Sequence, residues 1–236
     1  MTKVLALDSS THLGGIALVE GERVIGQQRL YQPEGHAAAM PPALEQLMQQ
    51  SGWRYQEIDL MVVTIGPGSF TGLRVALGLA KGIALAYGTA LVAVSTLTAI
   101  AITPELAIHG RQATTSYRLV VTDARRGEVF AALYHDHQPC WQPSRYTLEQ
   151  LSQALLDYGR AVPEARTLVV VGDGLPQVAA LLTKALHPSS VLLHDVRGVD
   201  PVALAHHGLS CYHQRGADDI VLLEPLYLRR TTAEET

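Results

Sequence analysis

The stretch from Ile65 to Arg74, with the sequence IGPGSFTGLR, constrains the fold more than any other part of the chain. The run before it, LMVVTI at 60–65, is short and β-rich, which is typical of a strand buried on both faces. The residues from Thr71 to Tyr87 contain no proline and predict a long helix. Two glycines and a proline between them predict a tight, rigid turn. A buried strand that turns directly into a helix indicates an α/β protein.

This turn is a candidate anion site through Gly66, Gly68, Ser69 and Thr71. The first turn of a helix points unpaired N–H groups outward, and hydroxyl groups can assist them in holding a phosphate or carboxylate. The lysine of a Walker loop is missing, and GPGSFTG is not a dinucleotide-binding fingerprint. The alternative is a plain strand-to-helix turn capped by Ser69 or Thr71. The residues alone leave both interpretations open.

A longer block around this turn resembles a known family. The segment IGPGSFTGLRVALGLAKGIALA, preceded by VLALDSST and followed by LVAVSTL, is similar to the TsaB family, also called YeaZ. Members of that family are bacterial partner proteins in making threonylcarbamoyladenosine on transfer RNA. The resemblance covers about residues 3–104. The second half resembles the family mainly at TDARRGEVFAALY and EPLYLR.

Composition indicates an ordered globular protein, because 47% of its 236 residues are hydrophobic and 17% are charged. The net charge of −4 argues against a large basic face that holds transfer RNA directly. Cys140 and Cys211 have no metal-like spacing, so a reducing cytoplasm is the expected location. We expect no signal peptide. The uncharged run 82–104 is interpreted as soluble core rather than a membrane span.

Hydrophobic periodicity predicts the element order βββαβαβα twice, once in residues 1–107 and once in 108–236. The predicted helix after the third strand ends near Ser51, with Gly52 as its C-terminal cap. A capping box at Thr147–Gln150 predicts the start of another helix. The final segment is a candidate for packing back on the N-terminal half. The duplication resembles the actin-like superfamily, which includes Hsp70-like, sugar-kinase-like and ribonuclease-H-like folds and to which the TsaB family belongs.

In that superfamily the first hairpin of each half approaches a nucleotide phosphate. The resemblance therefore makes Asp8, Ser9 and Ser10 candidate nucleotide-binding residues, together with Asp123 in the second half. Asp8 and Asp123 could hold Mg²⁺ through water, or Asp8 could cap a hairpin and Asp123 pair with Arg125 or Arg126.

The candidate adenosine loop of the second half contains only Gly172 and Gly174. The catalytic sister protein TsaD has His-x3-His where this chain has His36 and Met40, and a thioether is a poor ligand for most metals. We therefore expect no metal site and no cofactor of its own, with weak binding of ATP or ADP left open.

Two predicted helices carry apolar faces that suit a protein partner. The first offers a stripe of apolar residues, namely Met40, Ala43, Leu44, Leu47 and Met48. The second contains Arg74, Gly78 and Gly82 in one row, with Lys81 beside it, and small residues let another helix approach closely. The alternative is that the two helices pack on each other within one chain. Pro41 and Pro42 either start the first helix or kink it.

The resemblance implies a noncatalytic, cytoplasmic subunit that binds TsaD directly and joins the ATPase TsaE in the complex. That complex transfers a threonylcarbamoyl group to N6 of adenosine 37 in transfer RNAs reading ANN codons. Contact with transfer RNA would be indirect, no membrane is involved, and a homodimer is expected without TsaD. The alternative function is an ATP-dependent kinase or a metallopeptidase of the actin-like superfamily.

Overall fold

The computed structural model describes residues 1–31, 38–103, 117–135, 138–161, 168–185, 191–194, 196 and 198–228. His36, the terminal TTAEET and the end predicted for the helix at 96–107 lie outside these ranges. The chain divides into two compact units. One comprises Met1–Ile102 and Gly198–Leu226, and the other comprises Thr103–Arg197 and Tyr227–Thr236.

The N-terminal half forms one five-stranded sheet with helices on both faces. Its elements are β1 (Lys3–Asp8), β2 (Leu13–Glu20), β3 (Arg23–Tyr31), α1 (Met40–Ser51), a 3-10 turn (Tyr55–Glu57), β4 (Leu60–Thr64), α2 (Phe70–Tyr87), β5 (Ala90–Val94) and α3 (Thr96–Ala101). The strand order is β3-β2-β1-β4-β5. The first three strands form an antiparallel meander, and β4 and β5 continue the sheet parallel to β1.

The C-terminal half repeats this arrangement. Its elements are β6 (Tyr117–Asp123), β7 (Glu128–His135), β8 (Gln138–Thr147), α4 (Leu148–Ala161), β9 (Leu168–Val171), α5 (Leu175–Ala185), β10 (Val191–His194) and α6 (Pro201–Arg215). Read from its third strand, the sheet has the order β8-β7-β6-β9-β10. The two sheets therefore share one topology, and the predicted duplicated actin-like α/β fold is confirmed.

The last helix, α6, differs from the sequence expectation because it packs in the first unit rather than in the C-terminal half. Its N-terminus is fixed there, since Arg29 of β3 donates hydrogen bonds to the Val199 carbonyl and to the Asp200 carboxylate. Within β4, Met61 and Val63 face the core that contains α1 and α2, whereas Val62 faces Gly208 of α6. Alternation along the strand thus places α6 on the opposite face of the sheet.

Local sequence signals set the helix ends. Gly52 ends α1 with φ of 70°, as predicted, because this left-handed conformation suits glycine. Ser69 begins α2, and its Oγ accepts a hydrogen bond from the Gly72 N–H at 3.2 Å. The capping box at the start of α4 is confirmed, since Thr147 and Gln150 exchange side-chain-to-backbone hydrogen bonds of 2.9 and 3.2 Å. Helix α1 starts at Met40, so Pro41 and Pro42 occupy its tolerated first turn.

A strap at 216–226 follows α6 and runs along β5, one of the two edge strands of the first sheet. Asp218 donates its N–H to the Leu91 carbonyl, and its carboxylate accepts the Ala93 N–H at 2.7 Å. Arg215 pairs with the Asp218 carboxylate at 2.5 and 3.0 Å and donates to the Ala93 carbonyl. The N–H of Leu226 reaches the Ile65 carbonyl. The strap thereby satisfies backbone groups on the outer side of β5.

Candidate functional site

The turn between β4 and α2 is closed by the first hairpin of its own unit. The N–H of Ser69 donates to the Ser10 carbonyl at 2.7 Å, and the Ser9 hydroxyl donates to the Gly72 carbonyl at 2.6 Å. A Cβ atom at Gly68 would overlap the Ser10 carbonyl, and one at Gly72 would overlap the Ser9 carbonyl. These glycines therefore permit two backbone segments to touch. This contact uses the Ser69 N–H, and Ser69 Oγ caps the Gly72 N–H within the helix.

Asp8 lies beneath this contact and is fully buried. Its Oδ1 accepts three hydrogen bonds: from the Ser10 N–H at 3.1 Å, the Ser10 hydroxyl at 2.6 Å and the Thr64 hydroxyl at 2.6 Å. A buried carboxylate requires such donors, and those of Oδ1 come from the protein itself. Asp8 thus ties β1 to β4 and orients the hairpin that closes the turn. Thr71 is exposed on the first turn of α2, and the Gly66–Pro67 peptide bond is cis.

The matching residues of the second unit form a similar contact. The Asp123 carboxylate accepts the Arg125 N–H at 2.7 Å and lies 3.4 Å from the Arg125 guanidinium, the pairing that we offered as an alternative to metal binding. A Cβ at Gly172 would overlap the Val121 carbonyl, and Gly174 donates its N–H to that same carbonyl. Asp8 and Asp123 belong to different units, and each has hydrogen-bonding partners within its own.

In the first unit, the pKa values of two surface side chains, Glu57 and Tyr55, differ from their usual values. Hydrogen bonds from the Arg54 N–H, the Arg54 guanidinium and the Lys3 ammonium lower the pKa of Glu57 to about 2. Burial, followed by the nearby Glu45 carboxylate, raises the pKa of Tyr55. The hydrogen bonds of Glu57 therefore stabilise the 3-10 turn, whereas the shift in the pKa of Tyr55 keeps its phenol neutral. Among the residues that the structure describes, no group of three or more His, Cys, Asp or Glu side chains is placed to hold a metal ion.

Helix α2 presents an open apolar face. Arg74, Gly78 and Gly82 are exposed along it, and apart from the adjoining backbone of the helix no atom lies within 4 Å of the position that a Cβ would take at either glycine. Phe70 is 43% exposed at the N-terminal end, with the Arg74 guanidinium 3.7 Å from its ring centroid, and Leu85 is 63% exposed near the other end. The structure thus places the predicted small-residue row on the surface.

One part of the predicted partner surface needs correction. The stripe on α1 is core rather than surface, because every member is at most 5% exposed and packs within the first unit: Met40, Ala43, Leu44, Leu47 and Met48. An apolar stripe on a helix indicates that this face is buried, and here it is buried against the sheet of the same unit. Lys81 is also engaged within the chain, since its ammonium donates to the Leu223 carbonyl at 3.0 Å. The sequence analysis missed Phe70 and Leu85. Phe70 lies four residues before Arg74 and Leu85 lies three residues after Gly82, and this helical spacing places both on the same face as the glycine row.

Helix α2 is also the single helix of the described part of the chain that is long and apolar enough to cross a membrane. Its inward face has a different explanation, because Ala76, Leu77, Ala80 and Ala84 are buried against the sheet. Packing in an α/β core accounts for this half of its apolar surface. The other half of the helix surface, which carries Arg74, Gly78 and Gly82, is not covered by the fold.

Comparison with known proteins agrees with this fold. Two solved structures match it over 97% of this chain and 100% of theirs, with 23% identity. They are YeaZ from Pseudomonas aeruginosa, with a TM-score of 0.78, and a protein described as similar to peptidase YEAZ from the same organism, with a TM-score of 0.79. Identity at this level establishes the common fold alone.

Sequence relatives identify the family. The protein named tRNA threonylcarbamoyladenosine biosynthesis protein TsaB in Bacillus subtilis is 34% identical over 56% of this chain, a match that spans 54% of the relative. The protein of the same name in Escherichia coli is 28% identical over 98% of this chain and 96% of its own length. The family model described as TsaD, tRNA N6-adenosine threonylcarbamoyltransferase, matches residues 28–158, which is more than half of the chain. The chain therefore belongs to the TsaB (YeaZ) family, within the group that the TsaD model describes.

Proposed function

We propose that this chain is a noncatalytic subunit of the complex that installs N6-threonylcarbamoyl on adenosine 37 of transfer RNAs reading ANN codons. The pathway is taken from the names of the curated relatives and of the matching family model. The proposed role is to bind and stabilise a TsaD-family enzyme. The observation that carries this role is the open face of α2, with two uncovered glycines between exposed Phe70 and Leu85.

Close helix packing supports this use of the surface. A row of small residues lets a partner helix approach until backbones nearly touch, and large side chains at the row's ends then pack against that helix. A TsaD-family enzyme bound more tightly in its competent conformation would shift toward that conformation. Without the enzyme, the same face would pair with a second copy of this chain in a symmetric dimer. TsaE would join through the complex, transfer RNA would contact the enzyme, and the complex would work in the cytoplasm.

We also propose that the chain has no catalytic activity of its own. The reason is the geometry of two loops, one around Gly68 and Gly72 and the other around Gly172. Gly68 and Gly72 are in contact with Ser9 and Ser10, and Gly172 with Val121, at the positions where a phosphate or adenosine would have to approach the backbone. We therefore expect no thermal shift with millimolar Mg-ATP. A nucleotide at a hundred times its dissociation constant would add about 2.7 kcal/mol of stability, which such a measurement detects easily.

The direct test is light scattering after size-exclusion chromatography, with the chain alone and mixed with TsaD from the same organism. We expect a heterocomplex that forms at the expense of a homodimer. Gly78→Leu should abolish the heterocomplex, because the leucine side chain would occupy the space that the partner helix needs beside Gly78. Gln153→Leu, an exposed glutamine on α4 of the other unit, is the matched control and should bind normally. Unchanged elution of the wild-type chain beside TsaD would refute the proposal.

A further inference from the structure

The strap carries a turn, Ile220–Leu223, that displays two large apolar side chains to solvent. Val221 and Leu222 are each 76% exposed, which is more than Phe70 or Leu85 of the α2 face. The turn is held by hydrogen bonds, since the Asp219 carboxylate accepts the N–H groups of Val221 and Leu222 at 2.8 and 3.3 Å. The Leu223 N–H also reaches the Asp219 carbonyl at 2.9 Å. These side chains therefore stand on an ordered support.

The underside of this turn is attached to α2 itself. Lys81 lies one residue before Gly82, and its ammonium donates to the carbonyls of Leu223 and Val221 at 3.0 and 3.5 Å. Ile220 and Leu223 are partly buried and pack against the core that α2 shares with the sheet. The turn thus flanks the small-residue row on the Lys81 side. Val221 and Leu222 are therefore exposed on a turn that is attached to the helix through Lys81.

The exposed face of α2 is too small to form a complete protein–protein interface by itself. A helix of 18 residues is about 27 Å long and about 10 Å wide, so one face covers roughly 270 Å². A stable protein–protein interface buries about 800 Å² on each partner. A partner seated on α2 must therefore contact neighbouring surface as well, and the strap turn is an exposed apolar part of that surface that is attached to α2.

We infer that Val221 and Leu222 form the second half of the partner-binding surface and that Lys81 fixes them in position beside the glycine row. This inference rests on the proposed function, because the occupant is the same TsaD-family partner. The chemistry of the surface specifies what that partner presents: a helix that packs on Gly78 and Gly82, and next to it an apolar recess that receives Leu222. An exposed pair of this kind, bordering a docking helix, has the composition of an interface anchor.

The test is isothermal titration of the TsaD-family partner with the wild-type chain and with the double variant Val221→Ser, Leu222→Ser. Both side chains are exposed, so the variant should keep its fold, which circular dichroism and thermal unfolding verify. We expect at least about a tenfold rise in Kd, as for the loss of an anchor in the centre of an interface. Leu193→Ser, another exposed leucine located on β10 of the other unit, is the control and should leave Kd unchanged.

Two variants of Lys81 test the same inference independently, in the same titration. Lys81→Met keeps the apolar stem and removes the ammonium that holds the turn, so binding should weaken by a few-fold. Lys81→Arg restores a donor to the same carbonyls and should recover most of the affinity, which general destabilisation would not explain.

The outcomes separate the two proposals. If the wild-type chain fails to bind TsaD, the proposed function is refuted. If it binds and the double serine variant binds equally well, the inference about the strap is refuted while the proposed function stands. A variant that loses only self-association also refutes the inference, because the turn would then serve the homodimer alone.

Discussion

Glycine has opposite roles at two positions of α2. Gly72 faces inward on the first turn, where the Ser9 carbonyl occupies the place of a side chain, whereas Gly78 faces outward with open space around it. The first glycine is required by the contact between hairpin and helix. The second is unfavourable for the helix, because glycine in a helix interior costs about 0.5–1 kcal/mol relative to alanine.

This difference predicts opposite effects of one substitution. Gly72→Ala should lower the free energy of unfolding by about 3 kcal/mol or more, because the methyl group meets backbone that cannot easily move. Gly78→Ala should raise it by about 0.5–1 kcal/mol, since the methyl group is unhindered and alanine is the better helix former. Urea denaturation of both variants measures these changes. Equal effects of the two alanines would contradict the close approach of Ser9 to Gly72.

At the scale of elements, the strap is held partly by charge. Burial raises the pKa of the Asp218 carboxyl, but the Arg215 guanidinium and the Ala93 N–H together outweigh it, so this pKa lies below its usual value. Because the folded pKa is lowered, Asp218 stabilises the fold above its unfolded pKa of about 3.9. This contribution is lost as the pH falls through the folded pKa.

We therefore expect a pH-dependent difference between the wild-type chain and Asp218→Asn. Asparagine can still accept the Ala93 N–H but carries no charge to pair with Arg215. The wild type should be more stable by about 1 kcal/mol or less at pH 7, as for a partly exposed ion pair. The difference should shrink as the pH falls below the unfolded pKa of about 3.9 and disappear once the pH is below the folded pKa. Chemical denaturation at several pH values measures it. A difference that grows as the pH falls would contradict the assigned role of Asp218.

The strap and α1 show what the sequence can and cannot predict about elements. Periodicity predicts most strand and helix ends to within a few residues, because alternation and capping are local. Periodicity also indicates that the apolar stripe on α1 is buried. Whether the sheet or a protein partner covers this stripe depends on tertiary packing, which a sequence pattern does not specify. The strap has no periodicity, and its contact with Lys81 spans about 140 positions of sequence. Such a contact leaves no local signal.

At the scale of the whole molecule, α6 departs from simple duplication. Its sequence predicts a helix at the end of the second half, yet its small residues fit the first sheet: a Cβ at Gly208 would overlap the Val62 side chain. The two-fold repeat of element order was predictable from sequence, because each half contains its own strand pattern. Packing of the final segment on the N-terminal half was an expectation from the sequence, but the inclusion of α6 in the first unit was not, since a helical pattern does not specify which sheet will bury it.

This arrangement predicts that the two units respond differently to a change in α6. Gly208→Ala overpacks the contact with Val62 and should destabilise the first unit by about 1–3 kcal/mol. Trp53 packs at the core of the first unit and Trp141 at that of the second, and they are the only two tryptophans of the chain. Fluorescence-monitored denaturation in Trp141→Phe and Trp53→Phe backgrounds reports each unit separately. We expect a larger shift at Trp53.

Ser210→Ala on the exposed side of the same helix is the control and should change neither transition by more than about 0.5 kcal/mol. Equal shifts at the two tryptophans after Gly208→Ala would mean that the units unfold together, contrary to this prediction.

The outer strand of the first sheet has a further consequence for solubility. Unpaired N–H and C=O groups along a sheet edge are a template on which a strand of another chain can add, the first step of many aggregation reactions. Along β5 the carbonyl of Leu91 and both backbone groups of Ala93 are occupied by Asp218 and Arg215. In the second sheet, β8 carries Pro139 and Pro143, which have no N–H to offer a foreign strand. The chain thus blocks intermolecular strand addition at an edge of each sheet, by a covering segment in one and by proline in the other.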